Sequence, residues 1–68
     1  FNDALELFES QLRLNPEGRL AQALLILSSY SYRGLGLTSG ARQSLLKAQA
    51  LDGSSELGRE AARLLEGL

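Results

Sequence analysis

Leucine supplies almost all of the aliphatic side chains in this 68-residue chain. There are 17 leucines, a single isoleucine (Ile26) and no valine, and threonine occurs only once, as Thr38. Strands favour β-branched and aromatic residues, whereas leucine, alanine, glutamate, glutamine and arginine favour helices. The composition therefore predicts an all-α fold, and the length allows one domain at most.

The chain contains neither cysteine nor histidine, and its formal net charge is −1. Common nucleophile–base pairs and zinc-ligand sets are therefore missing, and we expect no enzyme activity, no cofactor and no metal site. Charges of both signs are interspersed, which argues against a nucleic-acid partner. No apolar run reaches the roughly 18–20 residues that span a bilayer, so we expect no membrane insertion.

Helical periodicity and turn residues divide the chain into four predicted helices, at about 2–14, 16–33, 39–51 and 55–66. Asn15-Pro16 separates the first two, because the residue before proline is disfavoured in the α region. The same pair suits the start of the second helix, with Asn15 as N-cap and Pro16 in the first helical position.

The remaining boundaries are predicted from glycine and hydroxyl residues. Gly34 is expected to end the second helix in the left-handed conformation. Thr38 or Ser39 is expected to cap the third helix, and Ser54 or Ser55 the fourth.

The second helix is apolar almost all round between residues 20 and 27. Such a helix is expected to be covered on more than one side and to lie at the centre of the domain. Short loops predict antiparallel neighbours. Two architectures remain open at this point, a closed bundle and an open helical array.

A weak internal repeat favours the open array. The first and third segments share a spacing of apolar and turn residues at an offset of 37 positions. The matched pairs are Ala4 and Ala41, Phe8 and Leu45, Leu14 and Leu51, and Pro16 and Gly53.

The spacing Ala4-x3-Phe8-x2-Gln11-x4-Pro16 resembles the second helix of a tetratricopeptide repeat. Tyr32 stands nine residues before Ala41, where that family places the tyrosine of its first helix. The resemblance implies a TPR-like helix-turn-helix array, with one complete repeat at the centre. It would be flanked by one helix of the repeat on each side, so that the chain is a fragment of a larger protein.

The resemblance implies a protein–protein interaction module of a bacterial scaffold, chaperone-like or secretion/envelope assembly protein. Aromatic and arginine side chains are common anchors for partners. The expected contact residues lie on the second helix, namely Gln22, Ser29, Tyr30 and Arg33. The large excess of arginine over lysine is typical of GC-rich bacteria, and both cytoplasm and periplasm fit.

A second function class stays open. A small helical dimerisation or regulatory domain, appended to an enzyme or a transcription factor, would have the same composition. Repeats leave an apolar face bare until a neighbour covers it. We therefore expect a protein or peptide partner or self-association.

Overall fold

The computed structural model describes residues 2–15 and 17–68 of the chain. In these residues the secondary structure consists of four α-helices and no strand, which confirms the all-α fold class. The helices are α1 (Asn2–Leu14), α2 (Gly18–Gly34), α3 (Thr38–Leu51) and α4 (Glu56–Glu66).

The four helices form an open array around α2. Helix α2 lies close to α1, α3 and α4, and α3 also lies close to α4, whereas the backbone of α1 approaches only that of α2 within the described residues. The Cα positions span 30 × 29 × 14 Å. A closed bundle with helices about 8–10 Å apart would have two short dimensions of similar size. The array therefore has a free edge at α1 and another at α4.

Helices α2 and α3 run antiparallel, as their contacts demonstrate. Gln22, near the start of α2, donates hydrogen bonds to the carbonyl oxygens of Ala48 and Asp52 at the end of α3. At the opposite end of α2, the ring of Tyr32 lies against Gly40 in the first turn of α3.

Helix α2 begins two residues later than the sequence predicted. Asn15 does not cap it. Its N–H donates to the Gln11 carbonyl and completes the last turn of α1. The residue in the N-cap position is Glu17, whose side chain makes no capping hydrogen bond. The predicted first helical residue, Pro16, lies outside the described residues.

The left-handed glycine after α2 is Gly36 and not Gly34. Gly34 remains within the helix, while Gly36 has φ of +78°. The Gly36 N–H donates to the Arg33 carbonyl at 3.0 Å, and the Leu37 N–H donates to the Tyr32 carbonyl at 2.8 Å. These two bonds form a Schellman motif, which satisfies the last carbonyls of the helix and turns the chain into α3.

The starts of α3 and α4 are built differently. Leu37 occupies the N-cap position of α3 without a side-chain bond, so Thr38 and Ser39 lie in the first turn and cap nothing. In α4, Ser55 is the N-cap, and its Oγ accepts a hydrogen bond from the Gly58 N–H at 3.0 Å.

The core lies where α2, α3 and α4 meet. Ala41, Leu45 and Ala48 of α3 have no exposed surface, and neither has Ala61 of α4. Leu45, Ala48 and Ala61 pack with Leu25 and Ile26 of α2 in one apolar cluster. The small alanines allow the helix backbones to approach closely, and Leu45 fills the space between them. We refer to this region as the buried seam.

Candidate interaction surface

The four residues predicted to contact a partner do not share one surface. Gln22 and Ser29 are only 2 % and 1 % exposed, whereas Tyr30 is 46 % exposed and Arg33 is also exposed. The two buried residues have structural contacts within the array. Contact of Tyr30 and Arg33 with a partner stays a prediction.

Gln22 links three parts of the fold through its side-chain amide. Its Nε2 donates to the carbonyl oxygens of Ala48 at 2.9 Å and Asp52 at 2.8 Å, and its Oε1 lies 3.0 Å from the Ser55 hydroxyl. A buried amide is costly unless its hydrogen bonds are satisfied, and here α3 and the cap of α4 satisfy them. Gln22 therefore fixes the turn between α3 and α4 against α2.

The buried serines of α2 bond to their own helix. The Ser28 hydroxyl donates to the Leu24 carbonyl at 2.8 Å, and the Ser29 hydroxyl donates to the Ile26 carbonyl at 2.6 Å. Such local bonds remove the cost of burying a hydroxyl group. The small serine side chains keep neighbouring helices close, and Ser29 offers no polar group to a partner.

A cleft of about 490 Å³ lies beside Gln22, at the start of α2 and α4. Arg19 contributes a positive charge to it, and Asp52 and Glu56 contribute negative charges. Hydrogen bonds from the Ser54 hydroxyl and backbone N–H lower the pKa of the Asp52 carboxyl. Among the described residues, no buried side-chain nitrogen or oxygen lacks a hydrogen-bond partner. Asp52 and Ser55 of this cleft thus serve the turn itself.

Four exposed leucines lie at regular spacing on α1 and α2. Leu7 and Leu14 recur at a seven-residue spacing on α1, as do Leu20 and Leu27 on α2, and these four side chains are between 46 % and 74 % exposed. A seven-residue spacing is two helical turns, so each pair lies along one side of its helix. We call these four residues the leucine face.

Both halves of the leucine face point away from α3. On α1, Glu9 lines a groove of about 450 Å³ together with Lys47 of α3, and Leu7 lies about 200° around the helix from Glu9. On α2, Leu25 packs into the buried seam, and Leu27 lies about 200° around the helix from it. Leu7 also lies about 200° around α1 from Leu5, which is buried on a helix whose backbone approaches only α2. The leucines of α1 and those of α2 are therefore two separate exposed patches.

The side-chain contact between α1 and α2, from the Tyr32 hydroxyl to the Glu9 carboxylate at 3.4 Å, joins the middle of α1 to the end of α2. Leu20 and Leu27 lie along one side of α2 with Ala23 between them, so the α2 half of the leucine face is a continuous apolar strip.

Tyr30 lies at the α4 side of this strip. It is close to the Glu60–Arg63 ion pair, which is exposed on α4. The hydrogen bond and charge of Glu60 raise the pKa of the Arg63 guanidinium, and Tyr30 adds a smaller effect. An aromatic ring and a charged pair therefore border the leucine face on this side.

The leucine face was not predicted from the sequence. The apolar centre of α2 predicted a helix covered on more than one side, and α2 indeed lies at the centre between three helices. A further side of α2 is open, however, because no helix within the described residues covers Leu20 and Leu27. The paired seven-residue spacings were the signal available in the sequence.

The part of the chain that the structure describes holds no cluster of three or more acidic side chains that could bind a metal ion. None of its helices combines the length and the hydropathy needed to cross a membrane. In comparisons with known proteins, no protein-family profile, no curated protein and no solved structure matches this chain.

Proposed function

We propose that this chain is a protein–protein interaction module and that the leucine face is its binding surface. The single observation behind this proposal is the apolar strip along the open side of α2, in which Leu20 and Leu27 remain about half exposed; the exposed Leu7 and Leu14 form a second patch on α1. Scattered apolar side chains are ordinary on protein surfaces, whereas contiguous apolar strips mark sites of association. Tyr30, at the edge of the strip, supplies an aromatic anchor of the kind that dominates binding energy.

We also propose that the module is a TPR-like helical repeat. Support comes from the sequence spacing around Tyr32 and Ala41 and from the open array, whose two end helices each have an uncovered side. Arrays of this kind stack further helices or partner segments on their open sides. A bacterial scaffold, chaperone-like subunit or secretion/envelope assembly is the setting that the resemblance implies.

Site-specific photocrosslinking tests the interaction. A benzophenone amino acid would replace Leu27 on the leucine face and, in a matched control variant, the equally exposed Leu46 of α3. The variants would be expressed and irradiated in the cells in which the protein naturally occurs. We expect a protein adduct of defined mass from position 27. The control at position 46 should give none.

The position of the adducts decides the outcome. Adducts at Leu7 and Leu20 as well as at Leu27 would delimit the surface. If these three positions give no adduct, or if position 46 crosslinks equally well, the leucine face is not the binding surface.

A further inference from the structure

We infer that α1 opens from α2 as a separate unit, and that this opening uncovers Leu24 and widens the apolar strip on α2. Helix α1 is thus a removable cover of one flank of the proposed binding surface. The role as a cover rests on the proposed function, whereas the opening of α1 is a property of the isolated chain. The unequal attachment of the two outer helices of the array, α1 and α4, is the observation behind the inference.

Helix α1 is attached to the array along one narrow apolar edge. Eight of its twelve residues between positions 3 and 14 are exposed, against four of the eleven residues of α4. Leu5 is the one buried residue among these twelve, and Leu12 reaches the buried seam while it remains partly exposed. Within the described residues the backbone of α1 approaches only α2, whereas α4 lies close to both α2 and α3. Less packing therefore opposes the opening of α1 than that of α4.

Hydrogen bonds also hold α4 more firmly than α1. Among the hydrogen bonds of the described residues, a single one joins α1 to another helix, from the Tyr32 hydroxyl to the exposed Glu9 carboxylate at 3.4 Å. At α4, the hydroxyl of the N-cap Ser55 donates to the buried Gln22 side chain at 3.0 Å, and Gly58 packs directly against the turn that precedes the helix. Both helices are outer helices of the array, so fraying alone does not account for the difference.

Leu24 shows which part of α2 is covered by α1. It is 7 % exposed and lies outside the apolar cluster of the buried seam. Gln22 and Tyr32, which contact α3, lie about 140° around α2 from Leu27 on either side, so α3 is opposite Leu27. Tyr30, towards α4, lies about 60° from Leu27 on one side, and Leu24 lies about 60° from it on the other side. The helix that covers Leu24 is therefore α1.

Opening of α1 joins Leu24 to the strip on the open side of α2. Leu20, Leu24 and Leu27 are spaced by four and three residues, so they form one apolar stripe over two helical turns. A stripe with this spacing suits an amphipathic partner helix, whose apolar residues recur at the same spacing. In the docked state α1 occupies one flank of the stripe and competes with such a partner for Leu24.

Native-state hydrogen exchange of the full 68-residue chain, followed residue by residue by NMR, tests the opening. The amides beyond the first turn of α1 should be at least about tenfold less protected than those beyond the first turn of α4, because fewer packed residues hold α1. Their exchange should depend only weakly on low urea concentrations, since the opening exposes little surface. Protection of α1 equal to or above that of α4 would overturn the inference.

Two leucine variants of α1 test which contact holds the cover in place. Leu5→Ala removes the buried contact and should lower the protection of the α1 amides by about tenfold or more, while the amides of α2 and α3 remain protected. Leu7→Ala is the matched control, with the same change at a position that is 58 % exposed, and should alter the protection of α1 less than about threefold.

Two outcomes of this pair contradict the inference. Equal protection of α1 in Leu5→Ala and Leu7→Ala would exclude the buried edge as the attachment of the cover. Loss of protection in all four helices of Leu5→Ala would show that α1 does not open separately from the rest of the array.

Photocrosslinking separates the cover from the proposed function. With the benzophenone at position 27, Leu5→Ala should raise the yield of the adduct about twofold or more, because α1 no longer competes with the partner. Leu46→Ala, on α3, should leave the yield unchanged. An adduct whose yield Leu5→Ala does not raise would refute the cover and leave the proposed function standing. Separate opening of α1 without any adduct at position 27 would refute the proposed function and establish the opening alone.

Discussion

The buried seam and the leucine face are built from the same kind of residue but have opposite surroundings. Leu45 in the seam has no exposed surface, whereas Leu27 on the leucine face is 46 % exposed. Both residues are leucines near the middle of a helix. Leu45 is surrounded by residues of α2, α3 and α4, while no helix within the described residues covers Leu27. Leucine content alone therefore does not distinguish core from binding surface.

The polar groups differ between the two regions as well. Beside the seam, Gln22 and the buried serines have hydrogen-bond partners within the array. On the leucine face, the four side chains are apolar and about half exposed or more. Satisfied polar groups specify one arrangement of packed helices, whereas an apolar surface leaves the arrangement to whatever covers it.

The largest expected effect tests the seam itself. Leu45→Ala should lower the free energy of unfolding by about 2–5 kcal/mol, because it leaves a cavity where three helices meet. Leu27→Ala is the matched variant on the leucine face and should cost less than about 1 kcal/mol in dilute solution. Urea unfolding followed by circular dichroism measures both values.

Equal losses for Leu45→Ala and Leu27→Ala would remove the distinction between the two regions. That result would mean that Leu27 is already covered in the isolated chain.

The second prediction concerns how tightly α4 is attached to the seam. A Cβ at Gly58 would overlap the carbonyl oxygen of Asp52 and lie 2.8 Å from the Cα of Gly53. Backbone atoms cannot yield as a flexible side chain does, so Gly58→Ala should cost about 2–3 kcal/mol in the same urea experiment. The added methyl would push α4 away from the turn that Gln22 holds.

Gly67→Ala is the control for this variant. A Cβ there would lie at an ordinary 3.6 Å from the Leu64 carbonyl oxygen, and Gly67 has φ of −86°. We expect no loss of stability, and a gain of a few tenths of a kcal/mol from the restricted unfolded chain. If Gly58→Ala and Gly67→Ala changed the free energy of unfolding equally, the close approach of Gly58 to the turn at Asp52 and Gly53 would not be what attaches α4.

The smallest effect concerns the link between α1 and the rest of the array. The Tyr32 hydroxyl lies 3.4 Å from the Glu9 carboxylate of α1, and burial, followed by the charge of Glu9, raises the pKa of this phenol. The protonated phenol is thus favoured in the folded state. Its stabilising effect is fully present below the unfolded pKa of about 10 and is lost as the pH rises through the higher folded pKa.

Urea unfolding at neutral and alkaline pH measures this contribution. The loss above about pH 10 should stay below about 1 kcal/mol, because the hydroxyl is largely exposed and solvent screens it. Tyr32→Phe should remove this part of the pH dependence, and Tyr30→Phe, on the border of the leucine face, should not. If Tyr32→Phe lost as much stability at alkaline pH as the original protein, another group would be responsible for the loss.

Local chemistry predicted the helices better than their ends. Leucine, alanine and glutamine in helical spacing predicted four helices in order, and Ser55 was one of two candidates for the cap of α4. The ends of α2 were less predictable, since neighbouring residues compete with Asn15 for the N-cap position and with Gly34 for the left-handed position after the helix. The hydrogen bond of Asn15 to Gln11 and the left-handed Gly36 depend on how adjacent helices meet.

The candidate site was less predictable than the fold. Tyr30 and Arg33 were expected on the surface and are exposed, whereas Gln22 and Ser29 were expected there and are buried. A polar residue on a helix is usually exposed, and only its neighbours can reverse this. In α2, the end of α3 and the cap of α4 supply the partners that make Gln22 an internal residue.

The sequence by itself determined that this chain forms leucine-rich helices with short connections, because helix propensity and turn chemistry act between residues close in sequence. Only the tertiary structure decided which leucines are core and which form the leucine face. That distinction depends on how many helices surround each position, and a residue's own neighbours in sequence do not specify this number. The array leaves α1 with a single neighbouring helix within the described residues, and half of the leucine face lies on α1.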